Sequence, residues 1–311
     1  MFLWVEQYRP KTIEECIIPD ESKEMFKAFL KQGEIPNLLL AGPAGVGKTT
    51  VAKALCNEIG ADFYVINGSD EGRFLDTVRN QAKTFASTVS LTSSSRHKVI
   101  IVDEADNTTP DVQLLLRASI EEFQKNCRFI FTCNYKNKII EPLHSRCAVV
   151  DFTLKGSQKQ SLAGNFFNRA KGILEKEGVK FDPKVVAVLV KKYFPDFRRT
   201  LNELQRYSSR GQIDAGILAQ GTDVHVEDLV TFLKGREFTK MKKWVVQNMD
   251  NEPVKIMRKV YDCLYDYMDP KSIPEAVLII GEYQYKAAFV VDQEINLVAF
   301  LTEIMMRCEF K

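Results

Sequence analysis

The chain has no Cys-x-x-Cys pair and no Cys/His cluster at zinc spacing, although it carries seven cysteines, Cys16, Cys56, Cys127, Cys133, Cys147, Cys263 and Cys308. An odd, scattered set of this kind excludes a disulfide framework and a zinc site and reads as reduced intracellular thiols. Also missing is any apolar run near the ~18 residues that a membrane-spanning helix needs. Met1 to Pro10 carries charges where a signal peptide would be apolar, so a membrane protein and a secreted one are both disfavoured, and a cytoplasmic location is expected. Charge of one sign is absent too: 43 Lys and Arg face 41 Asp and Glu, so any contact with nucleic acid must come from a local patch. There is no internal repeat, and the one polar tract, Thr92-Ser93-Ser94-Ser95, reads as an exposed loop.

Against these absences, Gly42-Pro43-Ala44-Gly45-Val46-Gly47-Lys48-Thr49 fits the phosphate-loop pattern GxxxxGK[ST]. Its glycines permit positive φ, so that N–H groups turn inward around a phosphate at the start of the next helix, where the dipole favours negative charge. Lys48 supplies a mobile charge for the β- and γ-phosphates, and Thr49 a hydroxyl for Mg²⁺. Val99-Ile100-Ile101-Val102 runs into Asp103-Glu104. Asp103 reads as a metal-holding carboxylate on a buried strand, and Glu104, pointing to the other face, as the group that polarises an attacking water. Taken singly, the octet could be an ordinary turn and the acidic pair a solvated loop. Strand-like Asn37 to Ala41 before the loop and helix-forming Thr50 to Ile59 after it favour a nucleotide site.

A chain of 311 residues suggests two or three domains. Short apolar strands, Asn37 to Ala41, Asp62 to Ile66, Lys98 to Val102, Arg128 to Thr132 and Ala148 to Phe152, alternate with amphipathic helices and predict a parallel sheet covered on both faces. Pro110 suits the first turn of a helix carrying Gln113, Leu116 and Ile120. Beyond Phe152 no convincing strand remains. Helices are predicted over Ser157 to Glu177, Pro183 to Tyr193 and Phe197 to Ser208. Gly211 to Thr222 reads as a connection with a short helix, and Val226 to Lys311 as a helical block broken near Gly235, Asn251-Glu252-Pro253, Asp269-Pro270 and Gly281. The expected organisation is 1-152, an α/β nucleotide-binding domain; 153-225, a small helical domain; and 226-311, an all-α domain.

Three residues stand where charge on a γ-phosphate could be sensed. Asn134 follows the strand beside that of Asp103 and could orient a water, or be a plain turn residue. Arg146, in Ser145-Arg146-Cys147, precedes the last strand at the domain rim, and Arg198 opens a helix of the second domain. Either arginine could serve the reaction or be a solvated surface charge.

The ordered set Gly42 to Thr49, Asp103-Glu104-Ala105-Asp106, Asn134, Ser145-Arg146-Cys147 and Asp196-Phe197-Arg198 resembles the AAA+ ATPase subunits of sliding-clamp loaders. Trp4-Val5-Glu6-Gln7-Tyr8-Arg9-Pro10 looks like the N-terminal box of replication factor C small subunits. Phe194 to Arg198, Tyr207-Ser208-Ser209 and Asp214 to Leu218 are similar to the large subunits of T-even-type phage loaders. Ala44 and Val46 depart from the family's common Gly-Pro-Pro-Gly-Thr-Gly-Lys-Thr, at positions that contribute backbone N–H groups.

The resemblance implies a P-loop AAA+ domain, a helical lid and an all-α collar. It implies ATP and Mg²⁺ as cofactors, with Val5, Glu6, Gln7, Tyr8 and Ile17 bordering the adenine and Gly45, Val46, Gly47, Lys48, Thr49 and Thr50 holding the phosphates. Arg198 would touch the γ-phosphate, Arg146 would reach into a neighbouring subunit's site, and Arg199 would face solvent. The implied partners are the sliding clamp, primer–template DNA, other copies of the chain with a small loader subunit in a pentamer, and DNA polymerase indirectly, in the host cytoplasm if a phage encodes the protein. Arg79, Arg73 and Thr109 would lie near the DNA backbone, as positioning contacts or as solvated side chains. Phe85, Val89 and Leu91 resemble the clamp-contacting segment, or belong to a helix face packed in its own domain. Another AAA+ machine, such as an initiator or helicase loader, is disfavoured by Ser145-Arg146-Cys147. An RNA helicase would need a second ATPase-like domain after Phe152, and a non-hydrolysing scaffold is opposed by intact Lys48, Glu104 and Arg146.

Overall fold

The computed structural model describes residues 3–69, 83–88, 97–154, 156–209, 211–214, 226–249 and 252–311. The chain divides into two compact units, Met1–Ala219 and Gln220–Lys311.

In the first unit five parallel strands, β1 (Leu38–Ala41), β2 (Phe63–Asn67), β3 (Lys98–Asp103), β4 (Cys127–Cys133) and β5 (Ala148–Asp151), stand in the order β2-β3-β4-β1-β5. Every residue of β1 is buried, as a central parallel strand requires. Its alternation sends Leu38 and Leu40 to one core with Val51, Leu55 and Phe26, and Leu39 and Ala41 to a second core with Leu116 and Ile120. The order inserts β4 between the strand leading into the phosphate loop and the strand ending at Asp103. The C-terminal ends of three neighbouring strands thus open on one crevice. Gly47 (φ 93°) starts the helix Lys48–Ile59 and Gly60 (φ 67°) ends it. Pro110 occupies the first turn of the helix Pro110–Glu122.

Among the described residues three helices follow, Gly156–Lys176, Pro183–Tyr193 and Phe197–Ser208. The last two are capped by carboxylates: Asp182 accepts from Lys184 N–H and Asp196 from Arg199 N–H. They pack around Phe166, Leu174, Leu189 and Leu204, and Trp4 from the N-terminus is buried in the same cluster. The expectation of no strands here is corrected by β6 (Lys180–Phe181) and β7 (Gln212–Ile213), a parallel pair of two-residue strands. Of the expected connection Gly211 to Thr222, only 211–214 lie among the described residues.

The second unit comprises the described helices Val226–Lys234, Phe238–Gln247, Pro253–Asp262, Leu264–Tyr267, Ile273–Ala287 and Gln293–Arg307. Leu297, Phe300, Leu301 and Ile304 of the last helix are fully buried at the centre of its core. The break expected at Gly281 is absent. The helix Ile273–Ala287 runs through it, because Ile279, Ile280 and Tyr283 gain more from burial than the ~1 kcal/mol that a helical glycine costs. Among the described residues no helix is long and apolar enough to cross a membrane. All seven cysteines are free.

Candidate active site

A cavity of ≈ 240 Å³ lies at the strand ends, between the phosphate loop, the N-terminal segment and the helix Phe197–Ser208. Gly45, Val46, Gly47, Lys48, Thr49 and Thr50 line it, together with Asp103, Glu104 and Asn134. Lys48 is buried, and its three donors are matched: Nζ donates to Gly42 O (2.6 Å), Pro43 O (2.7 Å) and Asn134 Oδ1 (2.9 Å). Burial holds its pKa below the usual lysine value, and the charge of Arg198 pushes the same way. A phosphate anion acts in the opposite sense and favours the charged ammonium that these three bonds already require.

Thr49 Oγ1 donates to Asp103 Oδ1 at 2.6 Å. Among the described residues no three His, Cys, Asp or Glu side chains converge as a metal cage. One hydroxyl beside one carboxylate is the hard-oxygen set that Mg²⁺ uses when phosphates and water complete its shell, so the residues present fit that ion. Glu104 takes a left-handed backbone (φ 55°, ψ 45°) where β3 turns into the 3₁₀ turn Ala105–Asn107. Its Oε2 accepts from Ser69 Oγ and from Asn107 Nδ2 (3.1 Å). Asp106 is buried, and its Oδ2 accepts the N–H groups of Asn134 (3.0 Å) and Tyr135 (3.1 Å), which fixes the turn carrying the Asn134 amide.

Val5, Tyr8, Ile17 and Arg198 also line the cavity. Glu6 and Gln7 do not: Glu6 pairs with Arg9 (2.6 Å) and Gln7 donates to Glu177 (3.3 Å). Tyr8 Oη donates to Glu177 Oε1, a hydrogen bond that raises the phenol pKa. Arg9 borders the same space, as do Phe166 and Arg169, which no sequence motif marks as site residues. Arg9 stands inside the N-terminal box, so a signal for it was present. Arg169 donates to Tyr8 O (2.8 Å) and Glu15 O (3.0 Å) from a helix where it reads as one more surface charge. The phosphate loop is latched from the same side, with Phe197 N–H donating to Gly45 O at 3.1 Å.

Arg146 is held away from this cavity. Its Nε and Nη2 donate to Glu121 Oε1 (3.0 and 2.6 Å) and its Nη1 to Pro142 O (2.9 Å). Buried Gln113 donates to Lys138 O and accepts from Ile140 N–H, tying the segment that leads to Arg146. Arg199 is exposed, with its guanidinium 4.7 Å from the Tyr193 ring centre. Thr109 is exposed as the N-cap of the helix Pro110–Glu122. Phe85 packs within its own domain, against Tyr64 and under Lys98 Nζ. Arg73, Arg79, Val89 and Leu91 lie outside the described residues.

Residues 38–153 match the family model "ATPase family associated with various cellular activities (AAA)", and residues 158–219 match "Sliding-clamp-loader large subunit, AAA+ ATPase lid domain". The sliding-clamp-loader large subunit of Enterobacteria phage T4 is 36% identical over 312 residues, covering 98% of this chain and 96% of that one. That of Escherichia phage RB69 is 37% identical over 313 residues, with the same coverage. A replication factor C small subunit of Sulfolobus acidocaldarius is 35% identical over 327 residues, covering 99% and 97%. Among solved structures, the Thermotoga maritima RuvB Holliday junction branch migration motor aligns with a TM-score of 0.53 at 20% identity, covering 72% of this chain and 78% of that one. That likeness concerns the fold alone. Alignment along nearly the whole chain with loader subunits, on a site built from phosphate loop, acidic strand end and lid arginine, places it in a family: the chain belongs to the AAA+ ATPase subunits of sliding-clamp loaders.

Proposed function

We propose that the chain is the ATPase subunit of a DNA polymerase sliding-clamp loader, in which ATP binding drives clamp opening and the gripping of primer–template DNA, and hydrolysis releases the closed clamp on DNA. One observation carries this reading. Lys48, Thr49, Asp103, Glu104, Asn134 and Arg198 border one cavity, whereas Arg146 is directed to Glu121 outside it. A cation excluded from its own site is available to a neighbour's, which supports an arginine finger in trans and activity as an oligomer.

In this reading the adenine lies against Val5, Tyr8 and Ile17, and the backbone N–H groups of Gly45 to Thr50 take the phosphates. Lys48 gives up a carbonyl partner for a phosphate oxygen, and Arg198 reaches the γ-phosphate from the lid. Mg²⁺, held through Thr49 and Asp103, supplies neutralisation of charge on the β- and γ-oxygens when bound. Glu104 leaves Ser69 and Asn107 to polarise the attacking water, which Asn134 orients through its amide nitrogen, since its oxygen accepts from Lys48. Residues 1-152, 153-225 and 226-311 serve as motor, lid and collar. The collar joins copies of the chain and a small loader subunit in a pentamer that works in the cytoplasm with the clamp, DNA and, indirectly, DNA polymerase. Arg73, Arg79 and Thr109 contact the DNA backbone.

The test is ATP turnover by the assembled loader with and without clamp and primed DNA, for the wild type, Arg146→Ala and Glu104→Gln. Stimulation by clamp plus DNA, lost in both variants, is expected. Turnover unaffected by Arg146→Ala would mean that no arginine acts between subunits.

A further inference from the structure

Thr132 lies on β4, 1% exposed, at the lining of the cavity that holds Asp103 and Glu104. Packing at such a strand position asks for a β-branched side chain of this volume, and valine meets that demand. A buried hydroxyl is unfavourable unless it is partnered. Both of its hydrogen-bonding roles are used, and both on the acidic motif of the neighbouring strand. Thr132 Oγ1 donates to Asp103 Oδ1 at 2.6 Å and accepts the Glu104 N–H at 3.0 Å. The directions follow from the chemistry, because an ionised carboxylate only accepts and a backbone N–H only donates.

Asp103 Oδ1 receives a second hydroxyl, from Thr49 at 2.6 Å. Two donors converging on one oxygen, one from the phosphate-loop helix and one from β4, fix the plane of the carboxylate. The hydrogen bond that Thr132 accepts anchors the Glu104 N–H, at the residue where the backbone turns left-handed (φ 55°) and leaves β3. One side chain therefore governs both the orientation of a metal-ligating carboxylate and the point from which the water-polarising carboxylate departs. Outer-shell groups of this kind change metal affinity or activity by about 10–100-fold when removed.

We propose that Thr132 is a positioning residue whose hydroxyl couples the seating of Mg²⁺ on Asp103 to the placement of Glu104. The proposal rests on the reading of this cavity as a Mg²⁺-dependent ATPase centre. It predicts that the hydroxyl matters for metal and for turnover, while the methyl group matters for packing.

The experiment compares wild type, Thr132→Val, Thr132→Ser and Asp103→Ala in the assembled loader, with thermal melting as a check of folding. Two quantities are read: the gain in ADP affinity that Mg²⁺ gives over EDTA, by calorimetry, and kcat with KM for ATP. For Thr132→Val, ADP binding in EDTA stays near the wild-type value, while the Mg²⁺ gain and kcat each fall by about tenfold or more. Thr132→Ser, which keeps the hydroxyl, restores both. Should Thr132→Val fail to fold, Thr132→Cys, a weak donor of similar volume, shows the same two losses. The proposal is overturned if Thr132→Val retains both quantities while Asp103→Ala loses them, or if Thr132→Ser is as impaired as Thr132→Val. A full Mg²⁺ gain in Asp103→Ala would instead remove the metal-site reading beneath it.

Discussion

Arg146 and Glu121 are joined through a single carboxylate oxygen, which accepts from both Nε and Nη2 of the guanidinium at 3.0 and 2.6 Å. The hydrogen bond from Arg146 holds the Glu121 pKa below the usual carboxylate range. In the proposed oligomer, an arginine kept oriented on the surface of its own subunit would be preorganised for transfer to an anion on the next one. Arg146→Ala is expected to lower kcat of the assembled loader by about a thousandfold, with nucleotide affinity of the isolated chain unchanged. Arg146→Lys should not rescue it, because an ammonium cannot reproduce the planar fork. Steady-state turnover alongside calorimetric ADP binding checks both statements.

Gly45 is constrained twice, and Gly47 once. Both have positive φ (79° and 93°), but a Cβ on Gly45 would stand 1.9 Å from Asp196 Oδ1, whereas nothing lies within 4 Å of one on Gly47. Gly47→Ala should therefore cost about 1–2 kcal/mol from backbone strain alone. Gly45→Ala adds displacement of the Asp196 cap, about 1 kcal/mol more, and loosens the Phe197 N–H to Gly45 O latch. Thermal or urea unfolding of the two variants without nucleotide orders them; equal destabilisation would show that the lid does not rest on the loop.

The parts of the site legible in the sequence are those that a few consecutive residues dictate. Gly42 to Thr49 announces itself because the backbone conformation needs glycine at fixed places, and Asp103 because an apolar run must end before a carboxylate can reach solvent. Partners far apart in the chain leave no such trace. Arg169 meets the Tyr8 carbonyl across 161 positions, and no periodicity of its helix distinguishes it from a solvated arginine. Thr132 was covered by a strand prediction that records burial and says nothing of hydroxyl partners. The two-residue strands β6 and β7 are too short for an alternation to exist. The side chains of Glu6 and Gln7 engage Arg9 and Glu177, a choice among polar neighbours that only tertiary structure makes.

His97 gives the fold a dependence on pH. It is 4% exposed just before β3, and its Nε2 accepts the N–H of Ile35 at 3.3 Å, so the ring is held neutral. Burial, then the charge of Arg128, lowers its pKa below the usual value. The folded pKa thus lies below the unfolded value of about 6.5. The contribution to stability is complete above that unfolded value and is lost as the pH falls toward and through the folded one. The melting temperature of the wild type should drop more steeply between pH 7 and pH 5 than that of His97→Gln, which keeps an acceptor without a titrating ring. Parallel curves would assign the acid sensitivity elsewhere.

Asp106 ties the stability of the turn after β4 to the placement of Asn134. Its carboxylate is 5% exposed and takes the N–H groups of both Asn134 and Tyr135 through Oδ2, while Oδ1 is buried with no hydrogen-bond partner. Removing it in Asp106→Ala leaves two N–H donors to be resatisfied, at about 1–3 kcal/mol for each. Asp106→Asn keeps a carbonyl oxygen in the place of Oδ2 and should recover most of that stability. The released turn carries Asn134, whose Oδ1 is one of three acceptors for Lys48 Nζ, so displacing it disturbs the group proposed to meet phosphate. Asp106→Ala should accordingly lower kcat more than ADP affinity, with Asp106→Asn intermediate, when turnover is measured well below the melting temperature of each variant. Loss of stability without loss of kcat would mean that the turn after β4 serves the fold and that Asn134 takes no part in the reaction.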